Sequence, residues 1–462
     1  MRLNDLTGCS VAIWGTGREG ISAARAIAAV DPAYLVAVDE NPERDVDSWR
    51  EATGGGIALH VGPNAFAALA AADIVVKSPG VPLVHPWLPA LSERGVSVTS
   101  GTALWMAEHG DHTVAVTGTK GKSTTSALIH HLLTDLGLDV NFAGNIGTPL
   151  LGTPEAALHV VELSSQQCQS LENSPRWAGL TSLFPEHLDW HGGEEQYYRD
   201  KLNLIAHKPH AVVVNALDDR LVSRVDATNP GVPITKTGVA DSFHLGNGPD
   251  GVPYFYSGRT PLFPQEMLPL LGQHNARNLC VVLGLLEQLG IDCIEEKERI
   301  AAAVGTFQGL AHRLQRISDP AGKLTFVNDS LSTAPQSAIA ALESFAQSPV
   351  TLIVGGADRG LDYGVLREYL TNTRTAPMVV LAVPDSGPRI AAALREVSGI
   401  HLEVVADLAV AVARARVLTP PGGVVLLSPA APSYGRFTDY ADRAAVFQRA
   451  IADSAEDLVD QG

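Results

Sequence analysis

Cysteine, basic charge and long apolar runs are all scarce in this chain of 462 residues. Its four cysteines, Cys9, Cys168, Cys280 and Cys293, are scattered without C-x-x-C spacing, so neither a zinc knuckle nor a disulfide framework is indicated, and a reducing cytoplasm fits. Lys plus Arg number 33 against 50 Asp plus Glu, a formal charge of −17. That field repels nucleic acid and anionic membranes, so a polyanionic ligand must be captured by local devices. No apolar stretch approaches the roughly 18 residues of a membrane span, and the N-terminus lacks the basic, apolar and small-residue order of a signal peptide. A cytoplasmic protein without nucleic-acid or membrane partners is the expectation.

With 45% hydrophobic residues the chain can fill several cores, and its length suggests about three domains at about 150 residues each. Its organising stretch runs from Val114 to Leu133. An apolar β-type run ends in Gly118-Thr119-Lys120-Gly121-Lys122-Ser123-Thr124, and a segment of good helix formers follows. This is the strand, phosphate loop, helix layout in a shortened spacing. Glycines let backbone N–H groups turn inward around phosphate oxygens, Lys122 adds positive charge, and the helix start adds its partial charge. Ser123 or Thr124 can then hold magnesium.

Upstream, strand Ser10 to Trp14 runs into Gly15-Thr16-Gly17-Arg18-Glu19-Gly20, and a second strand ends at Asp39. G-x-G-x-x-G with an acid about twenty positions on suits a pyrophosphate and a ribose, whether of a nicotinamide dinucleotide or of another nucleotide diphosphate. Strand Asp73 to Lys77 leads into the turn Ser78-Pro79-Gly80, which can line the same ligand. A first boundary is expected near residue 105. Residues Phe142 to Pro149 read as a glycine-punctuated loop containing Asn145. Glu162 ends the next strand, where a magnesium-holding acid is expected beside a phosphate loop. The run Thr181 to Phe184 leads to Glu186, His187, Asp189 and His191. Histidines at i, i+4 are compatible with zinc, and the neighbouring phosphate loop favours magnesium. Lys201, on an amphipathic helix, reads from spacing alone as a solvated face. A glycine-rich stretch spans 246 to 272, Gly272 to Asn278 opens an apolar helix, and a second boundary falls in the linker-like region of His312-Arg313. Strands at Thr325 to Asn328, Val350 to Val354, Met378 to Val383, Leu402 to Val405 and Val424 to Leu427 then alternate with helices, predicting a doubly wound α/β domain with polar clusters at the strand ends.

Taken together, T-G-T-x-G-K-S-T, G-N-I-G, E-L-S-S, the H-L-D of residues 187 to 189, Y-R-x-K-L, G-Q-H-N, H-R, N-D-S, G-G-A-D and S-P-A-x-x-S resemble the Mur ligase family, most closely its muramoyl-alanine glutamate ligases of peptidoglycan synthesis. The resemblance implies an α/β chain of three domains: Rossmann-like over 1–104 for the UDP substrate, P-loop ATPase-like over 105–308 for ATP, and Rossmann-like over 309–462 for the amino acid. It implies ATP and Mg2+ as cofactors, and UDP-N-acetylmuramoyl-L-alanine and glutamate as substrates of a monomer. Gly118 to Thr124 would hold ATP phosphates, with Asn275, His312, Arg313 and Asp329 as further nucleotide contacts. Ser123, Glu162, His187 and a carbamate on Lys201 would hold magnesium. Gly17, Arg18, Asp39, Ser78 and Asn145 would receive the UDP substrate.

Departures from the family pattern gather where glutamate and nucleotide sit. Leu331 stands where D-glutamate ligases carry a lysine, Arg359 where they carry the lysine of G-G-A-D-K, and Gly435 in place of an aspartate, while Thr333, Ser433 and Phe437 match. Arg359 can still pair a side-chain carboxylate. Re-seating the groups around one carbon is what inverted handedness demands, so the expectation is an L-glutamate ligase, followed by an epimerase, over the D-glutamate ligase. Further alternatives are a folylpolyglutamate-type ligase, a dinucleotide oxidoreductase, which leaves the phosphate loop unexplained, and a nucleotide-sensing module.

Overall fold

The structure is a computed structural model that describes residues 1–228, 231–248, 251–270 and 272–459. It divides into two compact units, one of Met1–Pro269 with Gln273–Phe307, the other of Leu270–Gly272 with the chain from Gln308 onward. Among the described residues no helix is long and apolar enough to cross a membrane.

The first unit opens with five parallel strands, Ser10–Trp14 (β1), Tyr34–Asp39 (β2), Ala58–Val61 (β3), Ile74–Lys77 (β4) and Ser97–Ser100 (β5), in the order β3-β2-β1-β4-β5. Side chains alternate across a strand, so Val11 and Ile13 of β1 enter one apolar layer with Ile27 and Leu104, while Ala12 and Trp14 enter the opposite layer with Val36 and Leu69. Strand order reverses between β1 and β4, which opens a crevice at their carboxyl ends. Gly15 and Ser78 lie there, the Ser78 hydroxyl donating to Gly15 O at 3.1 Å.

A second parallel sheet follows, Thr113–Thr117 (β6), Val140–Gly144 (β7), Leu158–Glu162 (β8), Trp177–Leu180 (β9), Ala211–Asn215 (β10) and Ile234–Thr237 (β11), in the order β11-β10-β9-β6-β8-β7. One expectation is corrected by it. Phe142 to Gly144 belong to edge strand β7 and only the residues after them form the loop; the half-buried pattern of an edge obscured the strand. The run from Thr181 to Phe184 follows directly on strand β9, which ends at Leu180. Helix Gly101–His109 crosses residue 105, with Leu104 in the core of the first sheet and Trp105 and Met106 in that of the second.

The glycine-rich stretch also carries structure. Phe243–Asn247 (β12), Pro253–Ser257 (β13) and Thr260–Pro264 (β14) form an antiparallel sheet, with Phe243, Phe255 and Phe263 buried. Gly258, at φ +54°, turns the second hairpin, so glycines of this stretch punctuate strands.

The second unit holds Gln315–Ile317 (β15), Thr325–Asn328 (β16), Val350–Val354 (β17), Met378–Ala382 (β18), Ile400–Val404 (β19) and Val424–Leu427 (β20), in the order β15-β16-β20-β17-β18-β19, parallel except at β15. Alternation again serves two layers: Val424 and Leu426 face one core, Val425 and Leu427 the other.

Candidate functional site

Register places the central site. Val116 pairs with Glu162, so the phosphate loop leaving β6 and the carboxylate ending β8 come out side by side. The loop needs its glycines. Gly118 has φ +152° and a Cβ there would stand 2.1 Å from Thr181 Oγ1; Gly121 has φ +88° and would meet Asn278 Oδ1 at 2.6 Å. Thr119 N–H donates to Ser182 O at 2.8 Å, Lys120 N–H to Ser182 Oγ at 2.9 Å, and Lys122 Nζ to Thr119 O at 3.1 Å. The Lys120 ammonium leans outward onto Glu186 at 2.6 Å. Ser123 and Thr124 are buried in the first turn of helix Lys122–Asp135.

A cleft of 420 Å³ brings together Lys122, Asn145, Ser164, Ser165, Glu186, His187 and Lys201. Glu162 lies buried behind Asn145, whose amide donates to Oε1 at 2.9 Å. Its other oxygen, Oε2, is buried with no hydrogen-bond partner in the protein. A carboxylate oxygen left bare is costly and suits a hard cation such as magnesium, which selects oxygen donors.

Lys201 overturns its reading as a solvated side chain. It is 2% exposed, on helix Glu194–Leu202, and its Nζ donates to Gly118 O at 3.0 Å. Burial, aided by the neighbouring Lys122 charge, lowers its pKa to about 7. An amine in that range is substantially neutral at physiological pH and can react with CO2.

The two histidines of the H-L-D-W-H run part company. His187 takes a left-handed conformation (φ +54°) and leaves its ring half exposed on the cleft, and burial lowers its pKa. His191 turns inward, so the pair does not form an i, i+4 metal site: Nε2 meets Ser165 Oγ at 3.0 Å, and Nδ1 meets Asp200 at 2.6 Å. Sequence reasoning missed Asp200, which neighbours Lys201, and Lys77. The latter is fully buried, donates to Val81 O at 3.0 Å and so holds the Ser78 turn; burial lowers its pKa to about 8. A lysine ending an otherwise apolar strand, Ile74-Val-Val-Lys77, was the available signal.

Around the first sheet, Arg18 donates to Gly147 O and Glu19 accepts from Gln167 at 2.8 Å, so the fingerprint helix reaches loops of the second sheet. Gly17 caps that helix with nothing within 4 Å of an added Cβ. Asp39 accepts from Thr16 and from Asn41 N–H, ordering its own strand end. Asn275 begins helix Gln273–Gln288 and accepts from Asn278 at 3.2 Å, beside Gly121.

The remaining candidates belong to the second unit. His312, at φ +64°, pairs through Nδ1 with Asn328 at 3.0 Å. Asp329 is buried, accepts from Ser428 at 2.8 Å and from Leu314 N–H at 3.2 Å, and has the charges of Arg313 and Arg443 nearby; burial nevertheless raises its pKa to about 6. The G-G-A-D loop meets the S-P-A-A-P-S loop through Ala357 N–H to Pro432 O at 2.8 Å. Exposed Arg359 lies over the Tyr434 ring at 5.8 Å, beside buried Ser433, while Phe437 packs on the core. Thr333 is exposed just before helix Pro335–Glu343.

Comparison with known proteins adds a lineage to this geometry. The family described as Mur ligase middle domain matches residues 116–286, and that described as Mur ligase, glutamate ligase domain matches residues 312–431. The chain is 54% identical to a UDP-N-acetylmuramoyl-L-alanine--L-glutamate ligase of a Micromonospora strain over 455 residues, 98% of this chain and 99% of that protein. It is 40% identical to the protein of that name from Xanthomonas campestris pv. campestris, covering 96% and 95%. Among solved structures, the MurF ligase of Thermotoga maritima in complex with ADP superposes with a TM-score of 0.57 at 15% identity, covering 99% and 97%; at that identity it shows a shared fold.

Proposed function

The chain belongs to the Mur ligase family, and from that premise we propose that it joins L-glutamate to UDP-N-acetylmuramoyl-L-alanine with ATP, in peptidoglycan biosynthesis. The observation that carries the reading is 54% identity along 98% of the chain to a ligase named for that reaction. Residues 1–104 receive the UDP substrate, 105–308 ATP, and 309–462 the amino acid.

A carboxylate is a poor acyl donor to an amine, so activation must precede attack. ATP phosphorylates the terminal alanine carboxylate, the glutamate amine attacks the acyl phosphate, and phosphate leaves. Backbone N–H groups of Gly118 to Thr124 cradle the transferring phosphates, and the Lys122 ammonium offsets charge on the phosphoryl oxygens. Ser123, Glu162, His187 and carbamylated Lys201 are the residues that would hold Mg2+, which supplies Lewis-acid charge neutralisation when bound. Asn145 positions the Glu162 carboxylate through its amide. Gly17, Arg18, Asp39 and Ser78 surround the UDP end; Asn275, His312, Arg313 and Asp329 serve the nucleotide. Arg359 pairs with the glutamate side-chain carboxylate, with Thr333, Ser433 and Phe437 around it. The product's L centre implies a downstream epimerase.

The test is phosphate release with ATP, Mg2+ and UDP-N-acetylmuramoyl-L-alanine, comparing L- with D-glutamate and omitting each component in turn. Release with L-glutamate alone is expected. Faster turnover with D-glutamate would overturn the stereochemical assignment, and no release with either would overturn the acceptor.

A further inference from the structure

Helix Gly101–His109 ends against the entry end of β8, and three donors meet there that the ligase reaction does not use. One ligand atom from each of His109, Glu155 and His159 lies within 4.8 Å of the others. His159 is 2% exposed, and its Nδ1 is buried with no hydrogen-bond partner in the protein. Trp105 fixes both rings, stacking on His109 at 4.7 Å and meeting His159 edge-on at 5.1 Å. Glu155 is exposed on a turn pinned by Asp139, which accepts from Ala157 N–H at 3.0 Å.

We propose that His109, Glu155 and His159 form a binding site for a transition-metal dication of the zinc class, separate from the magnesium site at the phosphate loop. Two imidazoles and one carboxylate are a borderline donor set that suits Zn2+, Co2+ or Ni2+, whereas Mg2+ selects oxygen. Donors about 2.1 Å from a tetrahedral ion stand about 3.4 Å apart, so the exposed Glu155 carboxylate is the donor free to close on the buried imidazoles, and water completes the shell. Aromatic packing accounts for the Trp105 contacts and leaves His159 Nδ1 without a partner, which a metal ion would supply. The charges facing the pair are Glu155, Asp139 and His112, and burial together with His109 lowers the His159 pKa, keeping the ring in its ligating neutral form. Glu108 does not compete: it is 3.9 Å from His109, and its Oε1 accepts from Leu3 N–H. His159 stands three residues before Glu162, about 10 Å along the strand and on the opposite face. The ion would fasten the helix that serves two cores onto the second sheet, without touching the reacting groups.

The test is calorimetric titration of the chelator-treated full-length protein with Zn2+ in millimolar Mg2+, supported by the visible spectrum with Co2+. One equivalent is expected to bind, with a tetrahedral-type cobalt spectrum. His109→Asn and the surface change Glu155→Gln should each weaken it at least about tenfold, leaving Mg2+-dependent phosphate release in place, and Glu162→Gln should leave Zn2+ binding intact. Unchanged Zn2+ affinity in Glu155→Gln and His109→Asn, loss of the site in Glu162→Gln alone, or no Zn2+ bound by the parent would each overturn the proposal.

Discussion

Burial sets the protonation of Lys201. A desolvated amine with Lys122 nearby loses its proton more readily, and on the proposed reading CO2 would convert that neutral amine into an anionic oxygen ligand. Replacing Lys201 with Ala should lower phosphate release at least about 100-fold, since a metal-neutralised transition state is worth several kcal/mol, and the carbamate carbon signal seen with labelled bicarbonate should vanish. Asp329 provides a pH test. Its pKa rises from 3.8 to about 6 on folding, so between about pH 4 and 6 the folded chain keeps a proton the unfolded chain has released. Stability from this group therefore falls as pH rises through that window, and above it the buried charge costs about 3 kcal/mol. Asp329→Asn should stabilise the second unit at pH 7.5, with the gain fading towards pH 4 in denaturant titrations. Residues of this kind differ in legibility. Glu162 and Lys122 were readable because strand end and loop fix their positions locally. Asp200 was not, because only packing brings it to His191; Lys77 adjoins the Ser78 turn in the chain, and what the sequence did not display is the burial that gives it a role.

Among elements, the phosphate loop tolerates little change. Gly121→Ala would force a side chain into a left-handed conformation against Asn278, at about 1–3 kcal/mol. A lower melting temperature and a raised KM for ATP are expected. The Ser165–His191–Asp200 chain ties the loop after β8 to helix Glu194–Leu202. His191→Ala strips Asp200 of its buried partner, leaving Gln196 as the nearby donor, and should cost about 3 kcal/mol. A double-mutant cycle with Asp200→Asn should recover much of that loss; strictly additive effects would show that the two side chains are not coupled. The parallel strands β16, β17, β18 and β20 were legible almost to the residue, since strands covered on both faces demand continuous apolar runs. Edge strand β19 starts two residues before its predicted place, and antiparallel edge strand β15 was not predicted. β7, β12 and β13 were not: their half-buried positions and flanking glycines imitate a loop until a neighbouring strand is present to pair with them.

At the scale of the whole chain, the cores of the second unit, built around β16 to β20, draw every member from beyond Phe307. Residues 308–462 expressed alone should therefore unfold in one cooperative transition, monitored by circular dichroism. A fragment ending at residue 104 should not, because it leaves Leu104 at a severed helix end. The three-domain reading was accessible from motif order, which survives in sequence. How core side chains are shared between neighbouring sheets is a property of packing and leaves no periodic trace.

Helix Gly101–His109 has a bearing on how such ligases can exchange parts. A chimaera joined between 104 and 105 gives each parent half a helix and asks Leu104 from one lineage and Trp105 from another to continue a single turn. Leu151, which packs against both cores, would meet foreign neighbours on two sides. With the acceptor assigned to residues 1–104 on the proposed reading, such a join would disturb both cores at once.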